Sequence, residues 1–147
     1  MPPQQPRRLT AHAPAKPLYE KGFALFAKRD FEQSIIVFQN FLNRFPDDIY
    51  SDNAQFWIAE AYLNQSRPRE AEDAYRAVLR NYEHRSTLEG YKTPDAIYRI
   101  GQAHLRRSDT EKARQYFEAL GERFPETSAG RKAVRELATL GLNTAQR

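Results

Sequence analysis

Residues 94–125 read PDAIYRIGQAHLRRSDTEKARQYFEALGERFP, and this stretch decides the fold. Gly101 is followed three residues on by His104, twelve on by Ala113, sixteen on by Phe117, nineteen on by Leu120 and twenty-four on by Pro125. Working outward, the same spacing recurs twice upstream. Gly22 leads to Leu25, Ser34, Phe38, Phe41 and Pro46, and Ala59 leads to Tyr62, Ala71, Tyr75, Val78 and Glu83. A self-similar period of this length indicates stacked supersecondary units, each unable to bury its apolar face alone. Each position has a steric task. Gly22, Ala59 and Gly101 let a second helix approach the first, and Ser34, Ala71 and Ala113 do so from the facing side. Phe38, Tyr75 and Phe117 fill the space between helix pairs. Pro46 and Pro125 close the second helix, since proline cannot continue one.

The spacing of a small residue, an aromatic, Ala-x-x-x-aromatic and Pro resembles the tetratricopeptide-repeat (TPR) template. The expected fold is an all-α, right-handed TPR solenoid of three helix-turn-helix repeats plus a C-terminal capping helix. Helices are expected near 17–28, 31–44, 52–65, 68–83, 94–107, 110–123 and 127–140. Strand alternation and Asn-Gly or Asp-Gly hairpin turns are missing. Asp30 with Gln33, and Ser108 with Glu111, have capping-box spacing. Thr93-Pro94 reads as a cap followed by a first-turn proline, and Pro68 opens the second helix of repeat two.

The TPR domain is expected over 17–141, with repeats at about 17–46, 52–83 and 94–125. Residues 1–16, with Pro2, Pro3, Pro6 and Pro14 and little to bury, read as a flexible leader or linker, and 142–147 as a tail. Repeats one and two are 37 residues apart, and two and three 42 apart. The excess lies in 83–92 (EHRSTLEGYK), expected to extend a helix or form a surface loop. In the last helix Ala133, Val134, Leu137 and Leu140 face inward and Arg131, Lys132, Arg135 and Glu136 face solvent, as a terminal cap requires.

Composition narrows the function classes. Cysteine is absent, which removes disulfides and thiolate metal sites. Of the net charge of +4, Arg7, Arg8 and Lys16 supply three, leaving about +1 on a body of interleaved acids and bases. That body lacks the one-signed face a nucleic acid needs. No apolar run is long enough to insert in a membrane. His12, His84 and His104 share no helix face, and the six glycines are isolated, so neither a metal site, a cofactor nor a phosphate loop is expected. Arg69, Arg76 and Arg80 share one face, with Glu72, Asp73 and Glu83 among them, as on a solvated surface. Catalysis is not expected, and a protein or peptide partner is.

In a stacked array the first helices of each pair line the concave face. The residues three before, one after, and four or five after the aligned small residue should point into it. These are Tyr19, Phe23, Phe26 and Ala27; Phe56, Glu60, Leu63 and Asn64; Tyr98, Gln102, Leu105 and Arg106. The lining is mainly aromatic and aliphatic, which suits an amphipathic helix or an extended segment with apolar anchors. Trp57 is expected to pack toward the neighbouring helix. A second copy of the chain is the alternative occupant.

The phrases Phe45-Pro46-Asp47, Tyr50-Ser51-Asp52-Asn53-Ala54-Gln55-Phe56-Trp57 and Glu60-Ala61-Tyr62, echoed by Arg123-Phe124-Pro125-Glu126-Thr127, resemble the TPR domain of the Tol–Pal-associated YbgF family of bacterial envelope proteins. The resemblance covers residues 18–140. It implies periplasmic protein binding that links the Tol–Pal machinery to cell-wall synthesis during division. The family's export signal and N-terminal coiled coil have no counterpart in these residues. The periplasm is therefore expected if the sequence is a domain cut from an exported protein. If Met1 is the native start, a cytoplasmic TPR adaptor for a secretion, motility or other assembly is expected, or a self-associating assembly module.

Overall fold

The computed structural model describes residues 14–85 and 91–145. Seven α-helices follow one another: α1 (Ala15–Ala27), α2 (Phe31–Arg44), α3 (Ser51–Asn64), α4 (Pro68–Tyr82), α5 (Thr93–Arg106), α6 (Thr110–Arg123) and α7 (Ser128–Ala145). A short 3₁₀ turn, Glu83–Arg85, follows α4. Among the described residues there is no strand. α1/α2, α3/α4 and α5/α6 form three antiparallel hairpins stacked in order, and α7 closes the stack against α6 and α5.

The recurring small and aromatic residues meet as their spacing predicts. Phe38, Phe41, Phe117 and Leu120 are fully buried, and Tyr75 nearly so. Burying each such side chain contributes roughly 1.5–3 kcal/mol. Gly22 faces the Phe38 ring so closely that a Cβ there would stand 2.7 Å from Cε1. The Ser34 hydroxyl donates to the Gly22 carbonyl at 2.8 Å, tying α2 to α1 at the point of closest approach.

All three hairpin turns use one device. The amides of Asp30, Arg67 and Asp109 bond back to the carbonyls of Leu25, Tyr62 and His104. Those of Arg29, Ser66 and Ser108 bond to Phe26, Leu63 and Leu105. This is the Schellman pattern, and it puts Arg29, Ser66 and Ser108 at φ of 66°, 59° and 61°. The turn corrects one sequence expectation. Asp30 caps α2 through Gln33 N, but the cap of α6 is Asp109, which accepts from Lys112 N, and not Ser108. Ser108 is held in the left-handed conformation that ends α5, so it cannot also start α6.

Thr93 is likewise not a cap. Lys92 holds that position, and its amide donates to Asp52 Oδ2 of α3 at 2.7 Å. Thr93 lies buried inside the first turn, where its hydroxyl has no hydrogen-bond partner among the described residues. Two boundaries also move: α1 starts at Ala15, inside the stretch read as leader, and α7 runs on to Ala145, past Leu140 and into the stretch read as tail. α4 stops at Tyr82, whose hydroxyl donates to the Pro46 carbonyl at 2.9 Å. The insertion therefore leaves the helix after one 3₁₀ turn, and its residues 86–90 lie outside the described residues. Residues 1–13 lie outside them too.

Candidate partner-binding groove

α1 packs directly on α3, and α5 on α7, while α2, α4 and α6 make no comparable contact with one another. α5 reaches α3 through the Arg99–Glu60 pair, so α1, α3 and α5 lie side by side as the layer expected to be concave in such a stack.

At the α1–α3 end this face is a wall of rings. Phe23 is 42% exposed and stacks over Tyr19, with centroids 6.5 Å apart. Its edge meets Trp57 at 5.3 Å, and Phe26 lies against the same indole at 5.0 Å. Trp57 Nε1 donates to the Tyr19 hydroxyl at 3.1 Å, which satisfies the indole N–H. Tyr19 is itself drawn inward, stacked on Tyr50 at 4.6 Å, and burial raises its pKa. Lys92, delivered by the end of the insertion, sets its ammonium 5.5 Å from the Phe56 ring and 5.8 Å from the Trp57 ring. Both distances suit cation–π attraction.

Toward α5 the face becomes polar. Glu60 is buried, and its carboxylate takes the Tyr75 hydroxyl at 2.6 Å, Arg99 Nε at 2.8 Å and Arg99 Nη2 at 3.2 Å. Burial first, then the Glu60 charge, pushes the Tyr75 phenol far up. Arg99 Nη1 also donates to Gln102 Oε1, and Gln102 Nε2 donates to the Tyr98 hydroxyl. Tyr98 donates on to Glu136 of α7 at 3.0 Å, beneath Lys132, whose ammonium lies 5.6 Å from the ring. Its pKa is raised by burial and by Glu136. Asp95, half-buried in the first turn of α5, has its pKa raised by desolvation, against the opposing pull of Lys92.

The residues named from sequence divide accordingly. Phe23, Ala27, Asn64 and Arg106 are exposed, and Tyr19, Phe26, Leu63, Tyr98, Gln102 and Leu105 are partly so. Phe56 is a correction: at 7% exposure it is a core residue, set between Tyr75 and Trp57 and unavailable to a ligand. The cause is register. The residue three before the small position packs on the large aromatic of its own hairpin in every repeat. Tyr19 meets Phe38 at 5.7 Å, Phe56 meets Tyr75 at 5.7 Å and Tyr98 meets Phe117 at 5.8 Å. The next residue along is the one that reaches across to the preceding first helix, as Trp57 does to α1 and Arg99 to α3. Glu60 is confined as well, its charge engaged by Arg99 and Tyr75. Sequence reasoning missed Arg99 and Lys92 and gave Trp57 to packing alone. The signal was a groove register one residue late, with Trp57 and Arg99 both two residues before the small position.

Among the described residues no group of three or more His, Cys, Asp or Glu side chains is placed to hold a metal ion. No described helix is long and apolar enough to cross a membrane.

A family model described as "Tetratricopeptide repeat" matches residues 19–86 and again 58–127. Among curated proteins, the cell division coordinator CpoB of Pseudomonas putida is 35% identical over 51 residues, which is 35% of this chain and 19% of that protein. The aligned segment is thus about a fifth of that relative's length. Among solved structures, the Sgt2 TPR domain of Aspergillus fumigatus superposes with a TM-score of 0.67 at 15% identity, covering 97% of this chain and 89% of that one. PcrH in complex with the chaperone-binding region of PopD gives 0.68 at 15% identity, covering 95% and 99%. The first TPR of Spaghetti (RPAP3), bound to an HSP90 peptide, gives 0.65 at 22% identity, covering 89% and 95%.

Proposed function

The chain belongs to the tetratricopeptide repeat family, and from that premise we propose that it is a non-catalytic scaffold holding a segment of another polypeptide in its concave groove. The apolar anchors of that segment rest on Phe23, Phe26 and Trp57. Tyr19, Leu63, Asn64, Tyr98, Gln102, Leu105 and Arg106 extend the surface. One observation carries this reading: Phe23 stays 42% exposed on top of a wall whose other rings are already packed and hydrogen-bonded. A large aromatic left open on a rigid concave platform can bind with little ordering cost. Among the similar structures, PcrH holds a region of PopD and the Spaghetti domain holds a peptide, which supports a segment as the ligand.

The partner proposed is a component of the bacterial envelope division machinery of the Tol–Pal type, met in the periplasm. Support comes from the Phe45–Trp57 phrase and from the segment shared with the cell division coordinator. The test is affinity capture from separated envelope and cytosolic fractions with the parent chain and with Phe23→Asp. Division proteins are expected from the envelope fraction with the parent and not with Phe23→Asp, whose circular dichroism should match the parent. Capture undiminished by Phe23→Asp rejects the groove, and capture confined to cytosolic proteins rejects the compartment. Phe56→Asp, by contrast, is expected to unfold the domain, since it places a carboxylate in the core.

A further inference from the structure

α7 is laid out as the first helix of a further pair. Ala138 follows Gly101 by 37 residues, the interval that separates Gly22 from Ala59, and so stands at the small-residue position. In the three complete pairs that position is buried, at Gly22 and Gly101 directly beneath Phe38 and Phe117. Ala138 is exposed. Val134, one turn before it and expected from sequence to face inward, is 56% exposed. A Cβ added at Gly141, one turn after it, would meet nothing within 4 Å. The three make an apolar strip along α7, and among the described residues nothing covers it.

Both flanks of the strip are charged, with opposite signs. On one side lies α6, where Val134 Cγ2 is 3.5 Å from the point a Cβ of Gly121 would occupy. Glu118, one turn before Gly121, and Glu122, next to it, are exposed there. On the other side are Arg131 and Arg135, also exposed. At about 100° per residue the strip lies on α7 between the core-facing Ala133 and these two arginines. Among the described residues none of the four charges is in an ion pair. Arg131 donates to the Glu126 carbonyl at 2.8 Å. Arg114, one turn further back on α6, is half-buried and lies beyond the four.

An acidic row, an apolar strip and a basic row, side by side, form a self-complementary surface. A two-fold axis along the strip lays the arginines of each copy over the glutamates of the other, since in an isologous contact residue i meets j and j meets i. The rows match in pitch. Glu118 and Glu122 are four residues apart, as are Arg131 and Arg135, about 6 Å along each helix. A covering helix of one sign would instead meet its own charge on one flank. We infer that this surface of α6 and α7 joins two copies of the chain, with Arg131 and Arg135 of each paired to Glu122 and Glu118 of the other across the Val134 strip. Exposed ion pairs contribute little each, so the contact is a concentration-dependent equilibrium. It leaves the groove clear, because Lys132 and Glu136, which meet Tyr98 on the groove side, lie on a different face of α7. The pair of chains therefore presents two open grooves.

Sedimentation velocity of the intact chain over roughly 1 µM to 1 mM is expected to show monomer and dimer in equilibrium. Val134→Asp sets two carboxylates against each other and should weaken the dimer at least about tenfold. Arg131→Glu/Arg135→Glu and Glu118→Lys/Glu122→Lys should each be monomeric alone, since every ion pair becomes a repulsion. Mixed in equal amounts, the two variants should form a 1:1 complex, because each altered row then meets its opposite. Phe23→Asp, in the groove, should leave the dimer unchanged. All these residues are exposed, and circular dichroism checks the fold of each variant. A chain that stays monomeric across the range overturns the inference, as does a dimer that survives Val134→Asp and both charge reversals. A dimer lost with Phe23→Asp places the contact in the groove and overturns it too. Charge-reversed variants that stay apart on mixing overturn the pairing of the rows.

Discussion

A Cβ added at Gly101 would stand 2.5 Å from Cε1 of Phe117, closer than any real side chain tolerates, and Phe117 is fully buried. The hairpin α5/α6 can therefore keep its separation only while residue 101 has no side chain. Gly101→Ala is expected to cost about 1–3 kcal/mol, because Phe117 must tilt within a packed core. Gly121 lies in α6 with its nearest foreign atom, Val134 Cγ2, 3.5 Å from the added carbon. Gly121→Ala should therefore stabilise by up to about 1 kcal/mol through helix propensity alone. Urea denaturation of the two variants checks the pair, and equal shifts would mean that the contact with Phe117 is not tight. This small-to-aromatic contact was legible in the sequence because it links two residue types at a fixed separation, three times over. The direction of individual groove residues was not. Phe56 and Trp57 are adjacent and both aromatic, so hydrophobicity gives no reason to bury one and leave the other on the face. What decides is the rotation of α3, which sets Phe56 against Tyr75 and Trp57 against Phe23 and Phe26, and no local pattern expresses it.

Helix ends show the same limit one level up. Six of the seven helices begin and end within about two residues of the positions that periodicity and proline placement predict, because an apolar stripe must stop where its partner helix stops. The caps are less legible. Ser108-Asp109 offers two good capping residues in a row, and the spacing to Glu111 favours the wrong one. The geometry of the preceding helix end makes the choice, since the Schellman turn takes Ser108 at φ 61° and passes the cap to Asp109. The two roles give opposite expectations. Asp109→Ala should cost about 1 kcal/mol by leaving Lys112 N unpaired. Ser108→Gly should stabilise by a few tenths to about 1 kcal/mol, because glycine adopts the left-handed region without a Cβ penalty. Thermal unfolding distinguishes the outcomes: a destabilising Ser108→Gly together with a silent Asp109→Ala would restore Ser108 as the cap. The 83–92 insertion was legible as an interruption, but its consequence was not. Lys92 reaches the groove because Asp52, buried in α3, holds the Lys92 amide, a pairing of residues forty apart that no helical period reveals.

Across the whole molecule the apolar core divides in two. One cluster joins repeats one and two and reaches Ala96 and Ile100 of α5, and the other joins Ile97, α6 and α7. Where they meet, polar pairs tie α5 to α3 and α4. Glu60 takes Arg99, and Glu72 takes both Arg76 and Arg107. Arg76 also donates to the Tyr116 hydroxyl at 3.0 Å, and His104 stacks on that ring. This seam holds α5 beside α3 and α4. It is sensitive to acid. Hydrogen bonding from Arg107, reinforced by Arg76, holds the Glu72 carboxyl down from 4.5 to about 2. A carboxylate whose pKa is lower in the folded state binds fewer protons there than in the unfolded chain. Its contribution is therefore fully present above about pH 4.5 and is lost as pH falls toward 2. Glu72→Gln should be less stable than the parent at neutral pH, and the gap should close progressively over that window as the parent protonates. Parallel urea titrations from pH 7 to about pH 2 measure the gap. A gap that stays constant with pH would mean that Glu72 acts through shape and not through charge.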